Sequence, residues 1–152
     1  EILNELEFLE SLREECRAVE QVDTGAKSLR LRALGSILHD FYTGCERIFL
    51  RIAEEFDGGL PNNPAWHKQL LKDMTLELPT VRPRVISKDT AEKLAEYLSF
   101  RHLFRNIYGF ELDLNKMNRL LADLSITCEA IKREVREFLQ KQEEVMLDVN
   151  GA

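Results

Sequence analysis

The sequence predicts an all-α protein, an antiparallel four-helix bundle with one extra short helix. Long stretches place apolar residues three and four positions apart, which is the period of a helix that buries one face. Only 7 of the 152 residues are Gly and 4 are Pro, and no stretch of useful length alternates apolar and polar residues as a strand would. We expect a single domain over residues 1–152.

The first predicted helix runs from the start of the chain to about residue 22, where a turn containing Gly25 follows. Its apolar positions are Ile2, Leu6, Leu9, Cys16 and Val19. The second predicted helix, roughly residues 27 to 56, carries a heptad seam. The seam consists of Leu34, Leu38, Phe41, Cys45, Ile48 and Ile52. Gly35 and Gly44 lie inside this helix at a cost of about 1 kcal/mol each, so we expect another backbone to approach there.

A short third helix is predicted near residues 64 to 76, between two pairs of prolines. Residues 77 to 86 form an extended connector that carries the second pair. The fourth helix begins where Ser87 or Asp89 can cap it, and Gly109 is placed to end it.

The last predicted helix runs from about Asp113 to Val145 along a second long seam. The seam consists of Leu114, Met117, Leu121, Leu124, Cys128, Ile131, Val135 and Phe138. Amphipathic helices of this length can bury such seams only by packing together, and an antiparallel bundle is the simplest arrangement.

Composition and net charge limit the range of possible functions and cellular compartments of this protein. A net charge of -6 argues against a general nucleic-acid binder with a broad basic surface, but it leaves room for a local basic cleft. No run of 18 apolar residues is present, so no transmembrane helix is predicted. Cys16, Cys45 and Cys128 match no metal-binding spacing, and each falls on an apolar stripe. We expect a cytoplasmic protein with reduced cysteines, no metal and no cofactor.

The fourth helix carries charge where its buried face should continue. Leu94 and Leu98 define that face, and Arg101 and Arg105 continue it at helical spacing, with His102 beside them. Arginine is almost never fully buried without a partner. Two interpretations remain open from periodicity alone. Either the arginines pair with acids on neighbouring helices, or they line a cleft that grips phosphate.

Glu46 is the expected acidic partner of these arginines. It stands at helical spacing between Tyr42 and Phe49, which is an unusually apolar setting for a carboxylate. His102 is either a general base or a hydrogen-bonded structural residue. His67, on the short third helix, is predicted to pack or to cap that helix.

Three segments resemble HepT-like proteins, which are all-α members of the HEPN superfamily. They are residues 40–49, 66–71 and 100–112, and together with the helix pattern the resemblance covers essentially the whole chain. The resemblance implies a homodimeric toxin of a bacterial toxin–antitoxin pair, whose partner is a minimal nucleotidyltransferase (MNT) antitoxin. It also implies metal-independent RNA cleavage in a cleft at the dimer interface.

The family motif is an arginine, four residues, a histidine, one residue and a tyrosine. These positions hold Arg101, Asn106 and Tyr108 here, so an asparagine replaces the histidine. Asparagine cannot transfer a proton near pH 7, and general acid–base catalysis contributes about 10²–10⁴-fold in rate. The replacement therefore predicts a weakened or inactive ribonuclease, with His102, one helical turn away, as a candidate substitute.

The resemblance and the charge pattern of the fourth helix together predict a role for each site residue. Arg101 would hold the scissile phosphate, supported by Arg105 and His102, while Glu46 orients Arg101. Asn106 would orient without transferring protons, and Tyr108 would be the residue that the partner modifies with AMP. The alternative is a non-catalytic module that pairs with a nucleotidyltransferase or binds RNA or a nucleotide.

Overall fold

The computed structural model describes residues 1–21, 27–106 and 114–151, with only the backbone at Asn106. Within these residues the chain forms five helices and no strand, in agreement with the predicted helical bundle. The helices are α1 (Ile2–Gln21), α2 (Lys27–Phe56), α3 (Trp66–Asp73), α4 (Lys88–Asn106) and α5 (Leu114–Gly151).

The helix ends differ from the predicted ones in detail. The third helix is shorter than predicted, because turns occupy both flanks of Trp66–Asp73. The last helix continues past Val145 to Gly151, since nothing in that stretch breaks a helix before the glycine. The predicted end at Gly109 and start at Asp113 lie outside the described residues.

Helix α2 is the centre of the bundle and packs against each of the other four helices. All six residues of its predicted seam are buried. The seam of α5 is also buried from Met117 to Phe138, except that Leu121 is partly exposed, and Leu114, predicted to belong to it, is exposed. Among the described residues no helix combines the length and the apolar character needed to cross a membrane.

Gly44 allows α1 to pack closely against α2. A Cβ atom at this position would lie 2.7 Å from Leu9 Cδ2 and 3.3 Å from Phe8 Cδ1. The close approach expected at Gly44 is therefore present, although side chains of α1 make it rather than the backbone. The absence of a side chain at Gly44 lets Leu9 become fully buried.

Two polar anchors fix the connector and the start of α4. Arg82, which is buried, donates from Nε and NH2 to the Asp57 carboxylate at 2.6 and 2.8 Å. At the start of α4 the Ser87 hydroxyl accepts from the Thr90 amide, so Ser87 rather than Asp89 is the cap. Glu134 of α5 accepts from the Ser87 amide at 2.8 Å and from the Thr90 hydroxyl at 2.6 Å. These contacts set the position of α4, which carries the charged segment.

Replacing Gly44 with valine should lower the free energy of unfolding by about 1–3 kcal/mol, because the added carbons overpack the contact with Leu9. Denaturant unfolding followed by circular dichroism measures the change. Gly151→Val is the matched control, since a Cβ there meets nothing within 4 Å, and it should change stability by less than about 0.5 kcal/mol. A Gly44→Val protein as stable as the parent would contradict the close packing.

The cysteines should be protected in the folded protein. Burial raises the pKa of the Cys16 and Cys128 thiols to about 11, and that of Cys45 well above its usual range. Because the thiolate is the reactive form, about one thiol in a thousand is ionised at pH 8. We expect a chromogenic disulfide reagent to label all three cysteines in denaturant and hardly any without it. Rapid labelling of the native protein would contradict this burial.

Candidate functional site

An ion pair between α2 and α4 lies at the centre of the site. Arg101 NH1 donates to Glu46 Oε1 at 3.1 Å, and Arg101 NH2 donates to Oε2 at 2.8 Å, so the pair is bidentate. Arg101 is 3% exposed and Glu46 is 7% exposed. The pairing expected from the apolar setting of Glu46 is therefore present. Each charge neutralises the other in a position that water hardly reaches.

Neighbouring side chains of α2 complete the environment of Arg101. Its guanidinium lies over the Tyr42 ring, 4.8 Å from the ring centroid, as in a cation–π contact. The Thr43 hydroxyl lies 3.4 Å from NH1 and itself donates to the carbonyl of His39. Burial raises the pKa of the Tyr42 phenol far above its usual range, so Tyr42 stays neutral.

His67 of α3 joins the ion pair at Glu46. Its Nδ1 atom lies 2.7 Å from Glu46 Oε2 and 3.2 Å from Arg101 NH2. The carboxylate is the closer group and only accepts hydrogen bonds, so the contact favours the tautomer with a proton on Nδ1. Nε2 then keeps its lone pair. Trp66 stacks on the imidazole with 3.6 Å between ring centroids, which restricts its orientation.

Sequence reasoning underestimated His67, which does more than pack or cap the short helix. Helix α3 has eight residues, too few for a hydrophobic period that would show which of its faces meets α2. The available signal was the acid at position 46, whose apolar surroundings require more than one polar partner. A search for that second partner would have led to a histidine as readily as to a second arginine.

Arg105 and His102 lie on the surface, in contrast to Arg101. Arg105 Nε donates to His39 Nε2 at 3.2 Å, and the opposite ring nitrogen of His39 lies 3.2 Å from Asp40 Oδ1. The stripe predicted along α4 is therefore divided. One arginine is neutralised inside the bundle, and the next, one turn later, keeps an exposed guanidinium.

A cavity of about 520 Å³ opens beside His67, between the start of α3 and the second half of α4. Its lining includes His67, Lys68, Ser99 and His102. A second cavity of about 520 Å³ shares Lys68, Leu98 and Ser99 with the first and continues along α3 and α4. The two form one groove, which we call the α3–α4 groove, with a mainly apolar floor.

The predicted site residues are thus only partly assembled by the described structure. Arg101 and Glu46 lie together in the interior, while Arg105 and His102 lie outside on α4. Asn106 is the last residue of α4, but its side chain lies outside the described part, as does all of Tyr108. The geometry of the complete family motif therefore remains a prediction.

The arrangement defines a helical-bundle domain in which one carboxylate holds an arginine and a histidine beside a groove. A family model described as HepT-like protein matches residues 33–142, which is most of the chain. The chain belongs to the HepT-like family. No curated protein and no solved structure gives a significant match to it.

Replacing Glu46 with alanine should lower the free energy of unfolding by about 3–5 kcal/mol, because it leaves the Arg101 charge buried without a partner. Denaturant unfolding measures the change. Glu54→Ala on the same helix is the matched control, since that carboxylate is half-exposed, and it should change stability by less than about 1 kcal/mol.

A second substitution separates the buried charge from other effects of Glu46→Ala. Changing Arg101 to methionine in the Glu46→Ala protein removes the unpaired charge and should recover much of the lost stability. A double variant as unstable as Glu46→Ala alone would show that the cost comes from lost packing.

Proposed function

We propose that this chain is the toxin component of a bacterial HepT/MNT toxin–antitoxin pair, acting on RNA by metal-independent cleavage with a degenerate motif. Family membership supports the assignment. The observation that carries it is the contact of Glu46 with both Arg101 and His67. These residues come from the three segments that resemble the family, and they meet beside a groove lined by Lys68 and His102.

The arginines have different roles in this proposal. Both terminal nitrogens of Arg101 are engaged by Glu46, so Arg101 reaches the scissile phosphate only where Glu46 releases one of them. Arg105 has an exposed guanidinium, and its contact is a ring nitrogen of His39 rather than a carboxylate, so its positive charge is available to phosphate. We therefore assign the first contact with phosphate to Arg105. Arg101 holds Glu46 in place inside the bundle.

Asn106 and Tyr108 carry the family-specific part of the proposal. Asn106 orients the substrate by hydrogen bonds and transfers no proton. Tyr108 is the residue that the nucleotidyltransferase partner modifies with AMP. A phosphate added there would block a cationic cleft and cancel its field. We propose a cytoplasmic homodimer, as the family resemblance implies.

The alternative is a non-catalytic module that binds RNA or a nucleotide beside its nucleotidyltransferase. Two observations favour it: the motif position holds Asn106, and Arg101 is almost completely neutralised within one chain. The two functions differ in whether RNA is cut or only bound.

Cleavage is tested with purified protein and a fluorescent single-stranded oligoribonucleotide in excess EDTA. We expect slow cleavage by the parent protein and a rate at least about 10²-fold higher for Asn106→His, because an imidazole returns to the motif. Cleavage by neither protein, with RNA still bound, would support the binding module. Absence of both cleavage and binding would contradict the proposal.

Arg105→Ala tests the phosphate contact in the same assay. We expect weaker RNA binding and a shallower dependence of affinity on salt, because one phosphate contact is lost. Arg133→Ala, an exposed arginine on α5, is the control and should leave both unchanged.

A further inference from the structure

We propose that the α3–α4 groove is an acid–base site for an RNA phosphodiester, with His67 as the general base and His102 as the general acid. This inference rests on the proposed function and assigns to two other residues the proton transfer behind the slow cleavage by the parent protein, in which Asn106 replaces the motif histidine. The structure brings two imidazoles to one cavity from different helices, His67 from α3 and His102 from α4.

His67 has the geometry of an oriented base. Its Nδ1 atom is held by Glu46 at 2.7 Å, and Glu46 is in turn held by Arg101, so the imidazole is fixed from inside the bundle. The contact favours the proton on Nδ1 and leaves the lone pair on Nε2. About one-third of the His67 side chain is exposed, and His67 lines the cavity. A proton-accepting imidazole is therefore available at the groove.

His102 lies on the opposite wall, one helical turn before residue 106. An imidazole at this position is near the motif position and belongs to the same helix. Near-neutral titration allows one histidine to be neutral while another is protonated at the same pH. Two histidines in one cavity can therefore remove and supply a proton within one reaction.

The reaction needs no additional reactant. The ribose 2′-hydroxyl gives its proton to His67 Nε2 while its oxygen forms a bond to phosphorus. The bond from phosphorus to the 5′-oxygen breaks, and that oxygen takes a proton from His102. The products are a 2′,3′-cyclic phosphate and a free 5′-hydroxyl, and the two histidines have exchanged protonation states.

The groove also fits a polymeric anion. Lys68, Lys72 and Lys88 lie along it, with Glu92 as the acid among its lining residues. Its floor is mostly apolar and includes Leu71 and Leu98. Ammonium groups at the rim attract successive phosphates, and an apolar floor accepts the faces of unpaired bases. Single-stranded RNA is the substrate class that combines both features with a 2′-hydroxyl.

His67→Asn is the decisive variant, because the asparagine amide can still donate to Glu46 while Nε2 is lost. We expect kcat/KM for a single-stranded oligoribonucleotide in EDTA to fall by about 10²–10⁴-fold, with the melting temperature kept. In the parent, the pH–rate profile should be bell-shaped. His67→Asn should lose the acidic limb, and His102→Gln should lose the alkaline limb.

Two lysine variants test whether the lysines along the groove bind phosphate. Lys68→Ala should raise KM by several-fold with kcat little changed, because it removes a phosphate contact. Lys93→Ala, an exposed lysine of α4 that does not line the groove, should leave both constants unchanged. Equal effects of the two would overturn the assignment of the rim.

A titration of the parent protein with uridine 3′-monophosphate provides a measurement that depends on no variant. We expect the imidazole C–H resonances of both His67 and His102 to shift. Cleavage that persists in His67→Asn and His102→Gln, or absence of these shifts, would overturn this inference and leave the proposed ribonuclease intact. Absence of cleavage by both the parent and Asn106→His would instead remove the proposed function, and this inference with it.

Discussion

The bidentate pair between Glu46 and Arg101 determines how α2, α3 and α4 come together. Burying either charge alone would cost several kcal/mol, so the helices that carry them must meet at this point and in this orientation. The same carboxylate then fixes His67, and with it the start of the short helix. The walls of the α3–α4 groove follow from this arrangement, because its lining comes from the two helices that Glu46 connects.

Much of the fold was predictable because it depends on local periodicity. The seam of α2 from Leu34 to Ile52 and the seam of α5 from Met117 to Phe138 repeat at three and four residues, and packing buries them almost as expected. The helix ends were less predictable. The local pattern offered both Ser87 and Asp89 as caps of α4, and it contained no sign of Glu134, which lies far away in the chain and accepts from the Ser87 amide and the Thr90 hydroxyl.

The candidate site was predictable where a residue contradicted its surroundings. Glu46 among apolar neighbours and Arg101 on a buried face each required a partner, and they are partners of each other. His67 did not stand out in this way, because its eight-residue helix is too short for the sequence to show which face is buried. The burial of Arg101 and the exposure of Arg105 also could not be predicted from the sequence, because both lie on the same face of α4. Both arginines contact α2, but Arg101 meets the buried carboxylate of Glu46, whereas Arg105 meets His39, two helical turns nearer the start of α2.

Glu46 contacts both the buried Arg101 and the partly exposed His67, so a change of charge at His67 would act on the buried ion pair. With a neutral imidazole, the cluster of Glu46, Arg101 and His67 has no net charge. A proton gained by His67 would leave one positive charge in excess within hydrogen-bond distance of Arg101. Because Arg101 and Glu46 are buried, water would screen this excess less well than it does at the surface. A proton on this groove-lining ring would therefore change the electrostatic field at Arg101, a residue of α4.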